Sequence, residues 1–359
     1  MSEGRRKAGK TLLVVAVILV VVLLLLLPPT QDLLRKYLLD PFSPQYPEEV
    51  QMEIVRKLTL DANGGEITGY TIDLPRPVSI FEDGTYLQKI GSFAVSPSYD
   101  HLWDNGTYDT MVWEGGALYD TFTLTITMKV TQRMQVWKLD EGSVLDKDEI
   151  PQYYQDSYLD DQWRIVVNAP EIEALRDDIV GNETNVFLIA KAIYDWIDEN
   201  VDYHIWPNTD GPLSSLDTYE KLKGDCDDQS ILFCALARSA GVPAWLQLGA
   251  VYSPDSGELG GHAWVQMFMP TADGGTNVTI DIVNDRFLVW MPNLFCEFTD
   301  NGIAEDLQKA YYTTSISFDP STYGPNEGPV REDDWTVVSY QESEETVALN
   351  LIVIAREDF

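Results

Sequence analysis

Histidine and cysteine are the scarcest chemistry-bearing residues in this chain, with three of each among 359. Three cysteines permit at most one disulfide, so the fold does not rest on a disulfide framework. His101, inside Tyr-Asp-His-Leu-Trp-Asp, has no second ligand at a useful spacing, and no cofactor or metal motif is found elsewhere. Positive charge is also in short supply. Lys and Arg number 24 against 58 Asp and Glu, a formal net charge of -34. Phosphate contacts need clustered Lys and Arg, so this balance excludes a nucleic-acid binder. The acidic residues are scattered along the chain rather than gathered in a tail, as on a solvated, self-repelling surface suited to a salty medium.

Against those absences stands one long hydrophobic run, Thr11 to Leu27, at the short end of what spans a bilayer. Arg5, Arg6, Lys7 and Lys10 precede it and outnumber Arg35 and Lys36 after it, so the positive-inside rule puts residues 1–10 in the cytoplasm and the rest outside. A cleaved signal peptide would have a shorter apolar core and small residues at its end, whereas this run ends in Leu-Pro-Pro-Thr. The expectation is one N-terminal transmembrane helix over 11–27, a single-pass membrane protein with its bulk extracellular. A juxtamembrane stalk follows over 28–50, with a short surface helix around Asp32 to Leu39. Sequons at Asn105, Asn182 and Asn277 agree with export.

Residues 51–160 read as a β-sandwich-like domain. Gln51 to Leu60, Ile67 to Leu74 and Tyr119 to Val130 are alternating runs separated by turn signals, and Phe122, Leu124, Ile126 and Met128 share one face of the last. Trp103, Trp113 and Trp137 are expected in its packing. Residues 161–359 read as a second domain, with a helical lead-in from Glu171 through Val201, a loop over His204 to Leu216, and a strong strand at Thr346 to Ile354.

The chemistry gathers in Lys223 to Gly241. Gly224 gives a turn, Asp225 is a good N-cap, Asp227 and Asp228 suit the positive end of a helix, and Gly241 with Pro243 ends it. Cys226 therefore sits at a helix N-terminus, where unpaired N–H groups favour a thiolate. Cys234 reads as a small buried apolar residue. A nucleophilic cysteine needs a base and the base an orienting partner. His262 opens the alternating run Gly-His-Ala-Trp-Val-Gln-Met-Phe-Met; a turn follows, and a second strand begins at Val278. An antiparallel hairpin brings His262 level with the stretch from Asp281 to Asp285. Three adjacent acids, Asp225, Asp227 and Asp228, oppose thiol ionisation.

In order, Gly-Asp-Cys-Asp-Asp with Ala-Arg-Ser-Ala-Gly-Val-Pro-Ala, then Gly-His-Ala-Trp-Val, then Thr-Ile-Asp-Ile, resemble the transglutaminase-like superfamily, cysteine enzymes that share a Cys-His-Asp arrangement with papain-like proteins. Ala192 to Ile197 and Val201-Asp202-Tyr203 are similar to that family's lead-in helix ending in a tyrosine. The resemblance covers residues 165 to 290. It implies an α+β fold in which a helix bearing the cysteine packs on an antiparallel sheet bearing histidine and aspartate, and a triad of Cys226, His262 and Asp281. The family usually has a tryptophan before the aspartate and a proline after it, where this chain has Val278 and Ile282, so Asp285 stays in view as the third member.

The expected function is a membrane-anchored, extracytoplasmic peptidase or amidase that cleaves amides through a thioester, with a protein or peptide substrate at the cell surface. A protein-glutamine transamidase uses the same residues and differs in the acceptor. A non-catalytic adhesion or scaffold module is the third reading.

Overall fold

The computed structural model describes residues 43–104, 106–207, 211–325 and 327–349. The chain divides into two units, one of residues 48–344 and a small one of residues 1–47 with 345–359. In the small unit Gln45–Pro47 pairs antiparallel with Thr346–Ala348. The tail 1–10, the run 11–27, the surface helix at 32–39 and the end of the strand expected over 346–354 lie outside the described residues. Among the described residues no helix is long and apolar enough to cross a membrane.

The large unit begins with β1 (Glu49–Asp61), β2 (Ile67–Pro75), β3 (Thr85–Ser96), β4 (His101–Asp104), β5 (Asp109–Gly115) and β6 (Thr121–Arg133). The alternation in β1 and β6 puts every second side chain on one face. Met52, Ile54 and Leu58 lie opposite Val130, Met128 and Leu124 in an antiparallel ladder, all buried. Ile72 and Leu74 of β2 and Met111 and Trp113 of β5 close the same core. Each such side chain contributes about 2 kcal/mol by leaving water, which is why these strands, poor in turn residues, hold the sandwich. Trp113 and Trp137 are buried, but Trp103 is 64% exposed. It stands on β4, an edge strand with all four residues exposed.

The lead-in is two helices, not one: α1 (Pro170–Val180) ends at Gly181, whose φ of +57° stops it, and α2 (Val186–Asn200) follows, capped by Asn185. Asn182 is exposed in the turn between them. After α3 (Ser215–Lys221), capped by Ser214, comes α4 (Cys226–Ser239), buried from Asp228 through Arg238. It packs on an antiparallel sheet of β7 (Ala244–Ser253), β8 (Glu258–Met269), β9 (Thr276–Asp281), β10 (Arg286–Phe287) and β11 (Leu294–Thr299), in the order β10-β9-β8-β7-β11. In β9 the side chain of Asn277 is already engaged by Tyr154 at 2.7 Å and Glu82 at 3.1 Å, which leaves this sequon without a free amide.

After α5 (Ala304–Tyr311) the chain returns to the sandwich. β12 (Thr314–Phe318) pairs with β2, and β13 (Val330–Glu342) pairs with β1 along its length. Residues 314–342, expected within the domain 161–359, therefore belong to the sandwich sheets. Both strands are amphipathic and largely exposed on one side, a pattern that does not reveal which sheet they join. One inward position of β1 is not apolar. Arg56 is 4% exposed, stacks 4.5 Å from the Trp335 ring, and forms ion pairs with Asp333 of β13 at 2.7 Å and Glu297 of β11 at 2.5 Å. It ties the sandwich to the α4-bearing half.

Candidate active site

The start of α4 is fixed from both sides. A Cβ at Gly224 would run into the Asp228 side chain, so only glycine lets the chain enter the helix here. Asp228 is buried; its Oδ1 accepts from the Leu213 N–H at 2.6 Å and its Oδ2 from the Asp225 N–H at 3.3 Å. Tyr203 pairs with Gly224 in a two-residue parallel bridge, and the His204 N–H donates to the Gly224 carbonyl at 3.0 Å. His204 itself packs edge-on against Trp206, 4.3 Å between ring centroids. Trp206 lines a cavity of about 140 Å³ with Leu213, Asp225, Asp227 and Asp228. Cys226 is partly exposed, whereas Cys234 and Cys296 are buried, their thiols pushed up to about 12 by that burial.

His262 stands on β8 opposite Gly249 of β7, where a Cβ would strike the Phe295 carbonyl. Its Nε2 lies 2.9 Å from Oδ2 of Asp281, at the end of β9, and both side chains are nearly inaccessible to solvent. Trp264 packs beside the imidazole at 5.6 Å and is anchored by its Nε1–H to Gln247 at 2.8 Å. The thiol lies beside this pair, close enough for the backbone N–H of Ala263, the residue after His262, and the charge of Asp281 both to act on it. Cys226, His262 and Asp281 thus share one locality. Asp285 does not join them; it is an exposed cap at φ +55° whose carbonyl accepts from Arg286.

Two residues were not singled out in the sequence. Asn284, in the turn Ile282–Asn284 after β9, places its Nδ2 2.9 Å from Asp281 Oδ2 and 3.1 Å from His262 Nε2. The phenol of Tyr311 is buried beside Asp225, Asp227 and Cys226 without a hydrogen-bond partner. An asparagine three residues past a candidate aspartate is a usable signal for the first. Tyr311 comes from a helix far along the chain and has none.

Burial, then the charge of Asp227, pushes the Cys226 thiol well above its ordinary range; the Ala263 backbone N–H opposes this, and Asp225 and Asp281 add to it. Burial, then the neighbouring Asp225 carboxyl, likewise pushes Asp227 up to about 9. The ligand atoms of Asp225, Cys226 and Asp227 lie within 4.8 Å of one another, the one such grouping among the described residues. Three consecutive residues at the start of one helix make up the whole grouping.

With this geometry in place the comparisons with known proteins can be set beside it. Residues 173–282 match the transglutaminase-like superfamily. They form a transglutaminase-like domain. Its limits enclose α4, β8 and β9 and hence all three residues. The chain is similar to an uncharacterized protein of Haemophilus influenzae, 37% identical over 75 residues, and the match spans 20% of each chain. It shares its fold with a candidate cysteine protease of Cytophaga hutchinsonii, at a TM-score of 0.53 and 18% identity, over 82% of this chain and 93% of that one. The periplasmic domain of TgpA from Pseudomonas aeruginosa aligns over 61% of this chain and 90% of its own, with a TM-score of 0.30 and 14% identity. The transglutaminase-like domain carries the helix-on-antiparallel-sheet core expected from the resemblance.

Proposed function

We propose that the protein is an extracytoplasmic cysteine hydrolase, anchored through residues 11–27, that cleaves amide bonds of a peptide or protein at the cell surface. The observation that carries the reading is that His262 Nε2 is held 2.9 Å from Asp281, with Cys226 close enough to feel both the Asp281 charge and the backbone N–H of Ala263, the residue that follows His262. Because Nε2 is engaged by the carboxylate, Nδ1 is the nitrogen available to the thiol.

Acidic surroundings and burial hold Cys226 as a neutral thiol at rest, so His262 acts as a general base as the substrate carbonyl arrives. The sulfur adds to the carbonyl carbon and its proton passes to His262. The oxyanion takes a hydrogen bond from the Cys226 backbone N–H at the start of α4. His262 then protonates the leaving amine and a thioester remains. Water, deprotonated by the same imidazole, attacks the thioester carbonyl and releases the acid and the thiol. Asp281 keeps the Nε2 proton in place and stabilises the charged ring in both halves.

The test is incubation of the full-length protein with a peptide substrate library and an excess of primary amine, followed by mass analysis. Hydrolysis gives the free acid and supports the proposal. An amine adduct in its place shows transfer, and no product together with an inert Cys226 rejects an enzyme.

A further inference from the structure

Asn284 forms the third corner of a triangle with the two groups that orient the base. Its Nδ2 is 2.9 Å from Asp281 Oδ2 and 3.1 Å from His262 Nε2, and the remaining side, His262 Nε2 to Asp281 Oδ2, is 2.9 Å. An amide nitrogen can only donate. If the ring proton left Nε2 for Asp281, that oxygen would be a hydroxyl facing the Asn284 donor, and the arrangement would lose a charge-assisted hydrogen bond. With the proton on Nε2, both N–H groups point at one ionised oxygen, and the 3.1 Å between Nδ2 and Nε2 is a contact of two donors that share that acceptor rather than a hydrogen bond.

We propose that Asn284 is a positioning residue that holds His262 as the neutral Nε2–H tautomer. It does so by two means. It occupies part of the Asp281 charge, so the carboxylate draws less positive charge onto the ring, and it fixes the carboxyl plane so that Oδ2 meets Nε2. The groups facing His262 make such moderation necessary. Asp281 approaches from β9, Asp285 and Arg286 flank the turn, Asp225 and Asp227 open α4 beside Cys226, and Gly249 opposite on β7 brings no charge. Most of those charges are negative. Asn284 is the neutral donor within that shell. Its exposure means a substitution there leaves the packed core alone.

The inference rests on the proposed role of His262 as base, and its test separates the two. In the full-length protein, the long-range proton–nitrogen spectrum of the three histidines reports the protonation of His262 whether or not Cys226 reacts, and alkylation of Cys226 by iodoacetamide against pH reports the base. Asn284→Asp replaces a donor by a charge. It should move the acid limb of the alkylation profile up by about one pH unit, slow alkylation about tenfold at neutral pH, and show a ring still protonated on both nitrogens where the parent is neutral. Asn284→Ala should move the limb the same way by less, and Asn284→Ser, which restores a donor, should lie nearest the parent. Equal slowing in all three variants with an unmoved limb and unchanged ring nitrogens would mean that Asn284 only shapes the turn, and the inference would fall. An inert Cys226 in the parent would remove the proposed function, while the ring spectra would still decide the role of Asn284.

Discussion

Carboxylates at two places flank the same sulfur atom, all of them raising its thiol, and they differ in what else they hold. At the end of β9, Asp281 receives donors from His262 and Asn284, and its charge is used to orient and stabilise an imidazole. At the start of α4, Asp227 is raised by burial and by Asp225, and both raise the thiol they border. Residue type is the same in the two places, although Asp281 is buried and Asp225 and Asp227 are half-buried. The decisive difference is the donors. A carboxylate given N–H partners becomes a tool for the base, and one given another carboxylate becomes a brake on the nucleophile. The Arg56 site repeats the first pattern with a full counter-charge, since Glu297 and Asp333 meet one guanidinium.

Exchanging charge for a neutral amide at the two positions breaks the comparison most sharply. Asp281→Asn should lower amide cleavage and Cys226 alkylation about a thousandfold, because the negative charge that holds the Nε2–H and stabilises the charged ring is gone; a loss below tenfold, measured as kcat/KM, would show that Asp281 is not part of the machinery. Next in size is the Arg56 site. Arg56→Met leaves Glu297 buried without its counter-ion and should cost about 3 kcal/mol in urea unfolding at neutral pH. The sign with pH follows from Glu297, whose folded-state carboxyl is raised by burial. Protonated Glu297 needs no partner, so the deficit should shrink as pH falls, and a deficit that grows on acidification would assign the loss elsewhere.

Asp227→Asn should act in the direction opposite to Asp281→Asn, and only where Asp227 is ionised. Its carboxyl is pushed up to about 9 by burial and by Asp225, so alkylation of Cys226 should quicken about threefold to tenfold above that pH and little at neutral pH. Slower alkylation would mean that the Asp227 carboxyl is needed for the helix start. The smallest effect is expected at Cys234. It is fully buried in α4, so Cys234→Ala should leave the labelling pattern unchanged, with peptide mapping placing the modification at Cys226 alone.

How much of this was legible beforehand follows from which signals are local. The helix from Cys226, its ending near Gly241 and the strands of His262 and Asp281 could be read because caps, breakers and alternation act within a few residues. The sheet order β10-β9-β8-β7-β11 keeps four of its strands in sequence order, so the hairpin rule was enough to bring His262 and Asp281 together. Asn284 could be flagged only by its place three residues past the aspartate: its contacts depend on how a short turn aims one amide, and composition does not carry that. The membership of β12 and β13 in the sandwich was hidden for another reason. Their partners lie more than two hundred residues away, and an amphipathic strand fits many sheets equally well.

That last pairing governs how the polypeptide is made. β1 is among the first strands to leave the ribosome, yet the neighbour that covers its outer edge, β13, ends at Glu342. Until that neighbour emerges, β1 is an unpaired edge, an aggregation hazard for a nascent chain. The intervening helices and sheet have a core of their own and can form meanwhile, which makes completion of the sandwich the late, slow event of synthesis. A ribosome stalled before residue 330 would therefore display a finished nucleophile on an unfinished support.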